Sequence, residues 1–346
     1  MLAFPVGQNL TDDTLDIHII DVEGGEATLF VTPSGKAILV DTGWPGFDGR
    51  DANRIASVAS HAGVTQIDYL VVTHFHTDHM GGTKQLAERL PILNFVDHGT
   101  TVDKSDRAKT AFEAYLDVRN GGTHHAVAPG DSIPIDGLEF RIIASDGLVL
   151  NGPLHEAGNT NPFCDGFTFH EENITDRYGD AEDQLSVSTL ISFGRFRTII
   201  MGDLTWNKEH ALMCPNNKIG IVDLYLVSHH GAETSGSEAL THAIQPRVAI
   251  MNNGPRKGGA VQTFQILRAA STLEQLWQNH YSSSAGNEYN LPERFIANLQ
   301  IEAGAREDQA VHTGTADWIQ VSARRDGSFT VTNSRNGFSQ SYGPRN

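Results

Sequence analysis

Short apolar runs and helical stripes follow one another along most of the chain. Leu15-Asp16-Ile17-His18-Ile19-Ile20, residues 27–32 and Ala37-Ile38-Leu39-Val40 each read as a strand, and Pro33-Ser34-Gly35-Lys36 predicts a hairpin turn between the last two. From about Asp51 the period changes. Ile55, Val58, Ala59 and Ala62 share one helical face, and Gly63 stops it. A strand over 67–72 follows, then helices over 83–90 and 106–118, the second closed by Gly121-Gly122. Residues 132–135 and 138–144 flank Asp136-Gly137, a two-residue hairpin signal. Later strands are expected at 185–193, 197–201, 223–227 and 248–251, with helices at 237–244 and 263–270. A closing hairpin is expected around Asp326-Gly327. Trp277, His280, Tyr281 and Tyr289 cluster late, with core packing as their default role. Periodicity alone therefore says mixed α/β.

One stretch breaks the pattern. Residues 146–183 are rich in Asn, Gly, Pro and acids and show no period. A loop this long inside a domain is usually functional or disordered, and it is expected to cover one side of a functional site. The whole is read as a single domain over 1–346, with a core at about 15–251 and a C-terminal extension at 252–346 packing on it.

Composition changes the picture in three ways. The 346 residues, 39% hydrophobic and 19% charged, suit a soluble globular protein, and no apolar run approaches the length of a membrane span. Residues 1–7 lack the basic segment and sustained apolar core of a signal peptide. The net charge of −17 argues against a tight hold on duplex nucleic acid, whose binding draws on neutralised phosphates. A small molecule or short phosphoester is the expected substrate. The two cysteines, Cys164 and Cys214, form no Cys-x-x-Cys pair, so a thiolate zinc site is not expected. They could be isolated thiols, or in an oxidising compartment a bridge tying the 146–183 loop to the segment after Asp203.

The chemistry concentrates at Thr73-His74-Phe75-His76-Thr77-Asp78-His79-Met80-Gly81-Gly82, directly after the apolar run Tyr69-Leu70-Val71-Val72. A strand would deliver three imidazoles and a carboxylate to the loop at its end. These donors suit zinc, iron or manganese. Four ligands so close would crowd one ion but not two, because alternate side chains can serve different ions. The predicted helix over 83–90 starts just behind, with its dipole toward an anionic substrate.

The motif His74-Phe75-His76-Thr77-Asp78-His79 resembles the His-x-His-x-Asp-His signature of the metallo-β-lactamase superfamily. Asp41-Thr42-Gly43, Gly202-Asp203 and Ser228-His229-His230-Gly231 follow that family's order. Asp21-Val22-Glu23-Gly24-Gly25-Glu26-Ala27 and the His-His-Gly ending are similar to the branch related to the hydrolase domain of bacterial competence (DNA-uptake) proteins. The resemblance runs over about 15–251 and implies an αββα sandwich with helices outside two facing sheets. It also implies a hydrolase that attacks with a hydroxide between two divalent metal ions, zinc foremost, with manganese or iron as alternatives. His74 and His76 would bind one ion, Asp78, His79 and His229 the other, and Asp203 would bridge. Asp78 and Asp203 are the carboxylates expected to serve catalysis. Phosphodiester or other phosphoester bonds lead as substrates; lactones, esters or β-lactams are the alternative. Related sequences lean toward an exported, periplasmic setting over a cytoplasmic one.

Other positions stay open. Family members often supply a third histidine to the first ion; His98, His124, His125, His155 and His170 qualify by order alone. The competence-related branch has Glu-Asn-x-x-Ser there, and Glu182-Asp183-Gln184-Leu185-Ser186 resembles it with Asp183 in place of Asn. Asp183 is read as a ligand, a hydrogen-bond partner or an exposed acid. Asp41 is expected behind a ligating imidazole, and His98 along the pocket. His230 is expected to pack away from the ions, or else to orient His229 or donate a proton. Lys257, in Asn252-Asn253-Gly254-Pro255-Arg256-Lys257-Gly258-Gly259, is either a substrate-binding cation or part of an exposed loop. Iron-dependent redox relatives carry Glu at the second histidine and an attached flavin domain; His76 and the lack of a flavin-binding region argue against that class.

Overall fold

The computed structural model describes residues 13–170, 181–299 and 314–345. The N-terminal segment 1–7 and part of the 146–183 insert fall outside the described residues. The chain first lays down β1 (Thr14–Ile20), β2 (Thr28–Val31), β3 (Ala37–Val40), β4 (Ile67–Val71), β5 (Ile92–Asp97) and β6 (Thr123–Ala126). It then crosses to a second sheet, made of β7 (Ser132–Ile135), β8 (Leu138–Ser145), β9 (Leu148–Val149), β10 (Ser188–Phe193), β11 (Phe196–Ile200), β12 (Leu224–Leu226), β13 (Val248–Met251), β14 (Gln275–His280) and β15 (Ile296–Asn298). Finally β16 (Trp318–Arg324), β17 (Phe329–Asn333) and β18 (Ser339–Tyr342) return to the first sheet. The strand orders are β18-β17-β16-β1-β2-β3-β4-β5-β6 and β15-β14-β13-β12-β11-β10-β8-β7, with β9 on β8.

The two sheets face each other across Ile17, Ile19, Ile38, Phe140, Ile191, Phe193, Leu224 and Trp277, which form one buried cluster. Helices cover the outer faces. α1 (Arg50–His61) packs Ile55, Val58 and Ala59 on the first sheet. Two short helices follow the β4 loop, α2 (Thr77–Met80) and α3 (Thr83–Ala87), and then α4 (Asp106–Arg119) buries Tyr115. On the second sheet lie α5 (Trp206–Met213), α6 (Glu238–Thr241) and α7 (Val261–Ala269), packed through Leu212, Leu240, Phe264 and Leu267. This is the αββα sandwich that the sequence resemblance implies.

Two expectations need revision. Residues 252–346 are not an appendage, because they supply β14 and β15 to one sheet and β16 to β18 to the other, with Ile17 paired to Val321. The helix expected over 83–90 is only five residues long. A single turn and a half of helix carries little dipole to direct at a substrate. The described part of the insert leans on α5, where Phe167 meets the His210 ring and His170 N bonds Asn207, and its end brings Asp183 among the predicted ligands. Cys164 and Cys214 are joined in a disulfide that anchors the insert beside the end of α5. No helix among the described residues is long and apolar enough to cross a membrane.

His18 gives a testable feature of this fold. It sits in the middle of β1, 2% exposed, and its Nδ1 has no hydrogen-bond partner. Burial, with His61 nearby, lowers its pKa to about 3. Between pH 6.5 and 3 the unfolded chain therefore binds a proton that the folded chain refuses. Stability is full above pH 6.5 and falls as pH drops through that window. From pH 6.5 to 5 the loss should be about 2 kcal/mol. Urea unfolding of His18→Gln should show that much less acid sensitivity than the parent; equal slopes would contradict the assignment.

Candidate metal centre

The parallel pairing of β3 with β4, Val40 opposite Val71, brings Asp41 beside Thr73. Asp41 accepts from Thr73 N at 2.8 Å and Thr73 Oγ1 at 2.7 Å. Its Oδ2 also lies 2.7 Å from His79 Nδ1. A carboxylate on one ring nitrogen fixes the imidazole's tautomer and aims the other nitrogen. Beyond Thr73 the side chains alternate. His74 and His76 point one way, while Phe75 is buried the other way among His98, Phe112 and Tyr115. Phe75 thus anchors the loop. Its N–H donates to Glu182 Oε1 at 3.0 Å, and Glu182 also takes His98 Nε2 at 2.9 Å and Val102 N at 2.8 Å. α2 then turns Asp78 and His79 back toward the same space.

Two donor groups result. His74 Nε2, His76 Nδ1 and Asp183 Oδ1 lie 3.0, 3.4 and 3.1 Å from one another. Asp183 Oδ1 is buried without a hydrogen bond. The second group is Asp78, His79, Asp203 and His230. His79 Nε2 lies 3.3 Å from Asp78 Oδ2, 3.3 Å from Asp203 Oδ2 and 3.2 Å from His230 Nε2. A tetrahedral ion with ligands ~2.0–2.1 Å away separates its donors by about 3.3 Å, so both groups have the spacing of a ligand shell. Asp203 Oδ2 is also 3.9 Å from His74 Nε2, which makes it the atom common to both.

The electrostatics agree with such a role. Burial, reinforced by His79, holds His74 well below its ordinary pKa, leaving a neutral imidazole with a free lone pair. Burial would raise Asp78, yet Lys257 and His79 keep it well below the usual carboxylate range. Burial would likewise raise Asp203, and His229, His79 and His230 overcome it. For His79 burial opposes the charge, but Asp203, Asp78 and Asp41 hold its pKa well above the ordinary value. Ionised acids and imidazoles that a cation could deprotonate are what metal binding requires.

The histidine pair departs from expectation. His230, expected to pack away, is 1% exposed and sits 3.3 Å from Asp78 Oδ2. His229 was expected to join Asp78 and His79. It contacts Asp203 Oδ2 at 3.2 Å instead, and its Nδ1 faces Thr234 Oγ1 at 3.0 Å. The cause is local backbone. His229, His230 and Gly231 all have positive φ, at 50°, 54° and 79°, so strand alternation does not apply to them. Such strain gathers at functional sites. Gly202 has a similar duty beside Asp203: a Cβ there would lie 2.9 Å from Thr73 Cβ.

The other candidates fall elsewhere. His98 does not line the pocket; it orients Glu182 from behind. His124 bonds Asp97, and His125, His155 and His170 are exposed away from both groups. Lys257 meets Asp78 Oδ2. Sequence reading missed Glu182 and Thr73 as supports, and Glu26, which takes Thr28 Oγ1 and Asn252 Nδ2 and is pushed by burial up to about 7. Only the Glu-x-x-x-Ser element hinted at the first of these.

The family model described as the metallo-beta-lactamase superfamily matches residues 21–251. Recombination protein 2 of Haemophilus influenzae is 23% identical over 251 residues, 71% of this chain and 25% of that protein. Hydroxyacylglutathione hydrolase of Xylella fastidiosa is 28% identical over 134 residues, 39% of this chain and 42% of that protein. The chain thus aligns with less than half of the length of either curated relative. Among solved structures, Tm1679, described as a metal-dependent hydrolase of the β-lactamase superfamily, aligns at 12% identity and TM-score 0.45, covering 76% of this chain and 95% of that one.

Proposed function

The chain belongs to the metallo-beta-lactamase superfamily of metal-dependent hydrolases, and on that premise we propose that it cleaves phosphodiester or other phosphoester bonds at a dinuclear site. The observation that carries this is the pair of donor groups sharing Asp203 Oδ2. His74, His76 and Asp183 would hold one divalent cation, and Asp78, His79 and His230 the other. With imidazole and carboxylate donors and no thiolate, zinc leads, followed by manganese and iron. Such a cation pair makes water acidic enough to attack near neutral pH and offsets charge on the attacked oxygen.

The chain's own residues do the remainder. Asp203 supplies the shared negative charge that lets two cations sit together. Asp41 and Thr73 lock His79, and Glu182 locks the backbone between His74 and His76, so the donors are preorganised. His229 offers the most exposed imidazole beside Asp203, with 16% of its side chain accessible and its Nε2 3.2 Å from Asp203 Oδ2, so it orients the shared carboxylate from the open side.

The longer match, 71% of the chain against 39%, is to a protein named for recombination, a process on phosphodiester-linked chains, and this favours the phosphoester reading. The charge of −17 supports a small substrate over a long duplex. Ester, lactone or β-lactam hydrolysis is the second reading, favoured by the hydroxyacylglutathione hydrolase match. Metal-replete protein should turn over bis-p-nitrophenyl phosphate with kcat/KM at least about tenfold above a lactone and a chromogenic cephalosporin, since one discriminating contact is worth about 1.4 kcal/mol or more. The reverse ranking would hand the site to the second reading. No turnover of any of the three would leave a binding protein.

A further inference from the structure

The chain carries 42 acidic side chains against 25 lysines and arginines, yet it places an ammonium at the edge of the donor groups. Lys257 Nζ contacts Asp78 Oδ2, the oxygen that also faces His79 Nε2 and His230 Nε2 at 3.3 Å each. The ammonium lies 5.1 Å from the centroid of the Trp44 ring, close enough for a cation–π contact. A quarter of the side chain remains exposed, so it borders solvent as well as Asp78.

The loop around it is clasped onto the site. Gly254 N donates to Lys257 O, and Gly259 N donates to His230 O, both at 2.9 Å. Gly258 has φ 75°, and a Cβ there would lie 2.0 Å from His230 O. On the opposite side, a Cβ on Gly24 would lie 2.7 Å from Lys257 Cβ. Glycines at these points let the lysine loop lie directly against the loops bearing His230 and Glu23. A lysine needed only for solubility requires no such fit.

We propose that Lys257 is the specificity-determining residue of this site, receiving a non-bridging oxygen of an anionic substrate, a phosphoester, between its ammonium and the donor groups. The inference rests on the hydrolase reading above. Asp78 Oδ2 is already shared with two imidazoles. A carboxylate that also serves a divalent cation leaves the ammonium beside it short of negative charge, and a charged substrate supplies it. A neutral ester gains little from the same contact. Lys257 thereby separates the phosphoester class from lactones.

The test measures binding of inorganic phosphate to metal-replete full-length protein by calorimetry, with metal content by elemental analysis. The parent is compared with Lys257→Ala, Lys257→Gln and Lys257→Arg. Loss of a charge-assisted contact predicts phosphate affinity about 30-fold weaker in the Ala and Gln variants, with unchanged metal content and recovery to within about fivefold in the Arg variant. Unchanged phosphate affinity would overturn the inference. So would metal lost in parallel with phosphate in both Ala and Gln variants, because Lys257 would then only balance Asp78. Parent protein that holds metal but no phosphate also overturns it alone. Parent protein that takes up no metal overturns the hydrolase reading itself.

Discussion

Asp203→Asn is expected to reduce metal content from two ions per chain to at most one and to lower kcat/KM at least about a thousandfold, ~4 kcal/mol of transition-state stabilisation. The substitution keeps the shape of the side chain and removes its charge. Two divalent cations about 3.5 Å apart repel by on the order of 20 kcal/mol even at an effective dielectric constant of ~20, so a neutral amide cannot hold them together. Asp203 lies after β11 in the turn made by Gly202, outside the three apolar clusters, so the fold should survive. Circular dichroism would check that, alongside metal analysis and kinetics. Two ions retained with full activity would remove Asp203 from the shared position.

The second large effect separates neighbours. His230→Ala should lower affinity for one of the two ions by about a hundredfold or more and reduce kcat/KM by a similar factor, because it takes one donor from a four-residue group. His229→Ala should keep both ions and lose about tenfold in kcat/KM, because His229 contacts Asp203 without belonging to either donor group. Side-by-side titrations of metal and activity in the two variants decide between them. If His229→Ala lost the ion and His230→Ala kept it, the ligand assignment would be reversed.

Much of the fold was legible because the core obeys its periods. β1, β3, β4, β10, β11 and β13 lie where apolar runs predict them, and α1 lies where Ile55, Val58 and Ala59 share a face. What escaped includes two short buried strands, β14 and β15, and elements defined by pairing more than by burial. β6 is the exposed edge Thr123-His124-His125-Ala126, and β18 is the polar run Ser339-Gln340-Ser341-Tyr342. Neither has an apolar face to betray it.

The site divides the same way. His74, His76, Asp78 and His79 are legible as one motif on one strand end. His229 and His230 are adjacent, and only three successive left-handed residues decide which imidazole turns inward. Asp183 ends a stretch without period, so nothing in the sequence says whether it returns to the metal loop. Glu182 reads as a loop acid, yet it is fully buried against Phe75 N and His98. Tertiary return of distant loops sets these roles, and no local pattern encodes it.

The most direct measurement is elemental analysis of the purified chain after saturation with zinc and removal of excess, paired with anomalous diffraction at the metal edge. Two bound ions are expected, one among His74, His76 and Asp183 and one among Asp78, His79 and His230, with Asp203 touching both. A chain that binds no ion in stoichiometric amount, or binds one with Asp203 turned away from it, would contradict the account.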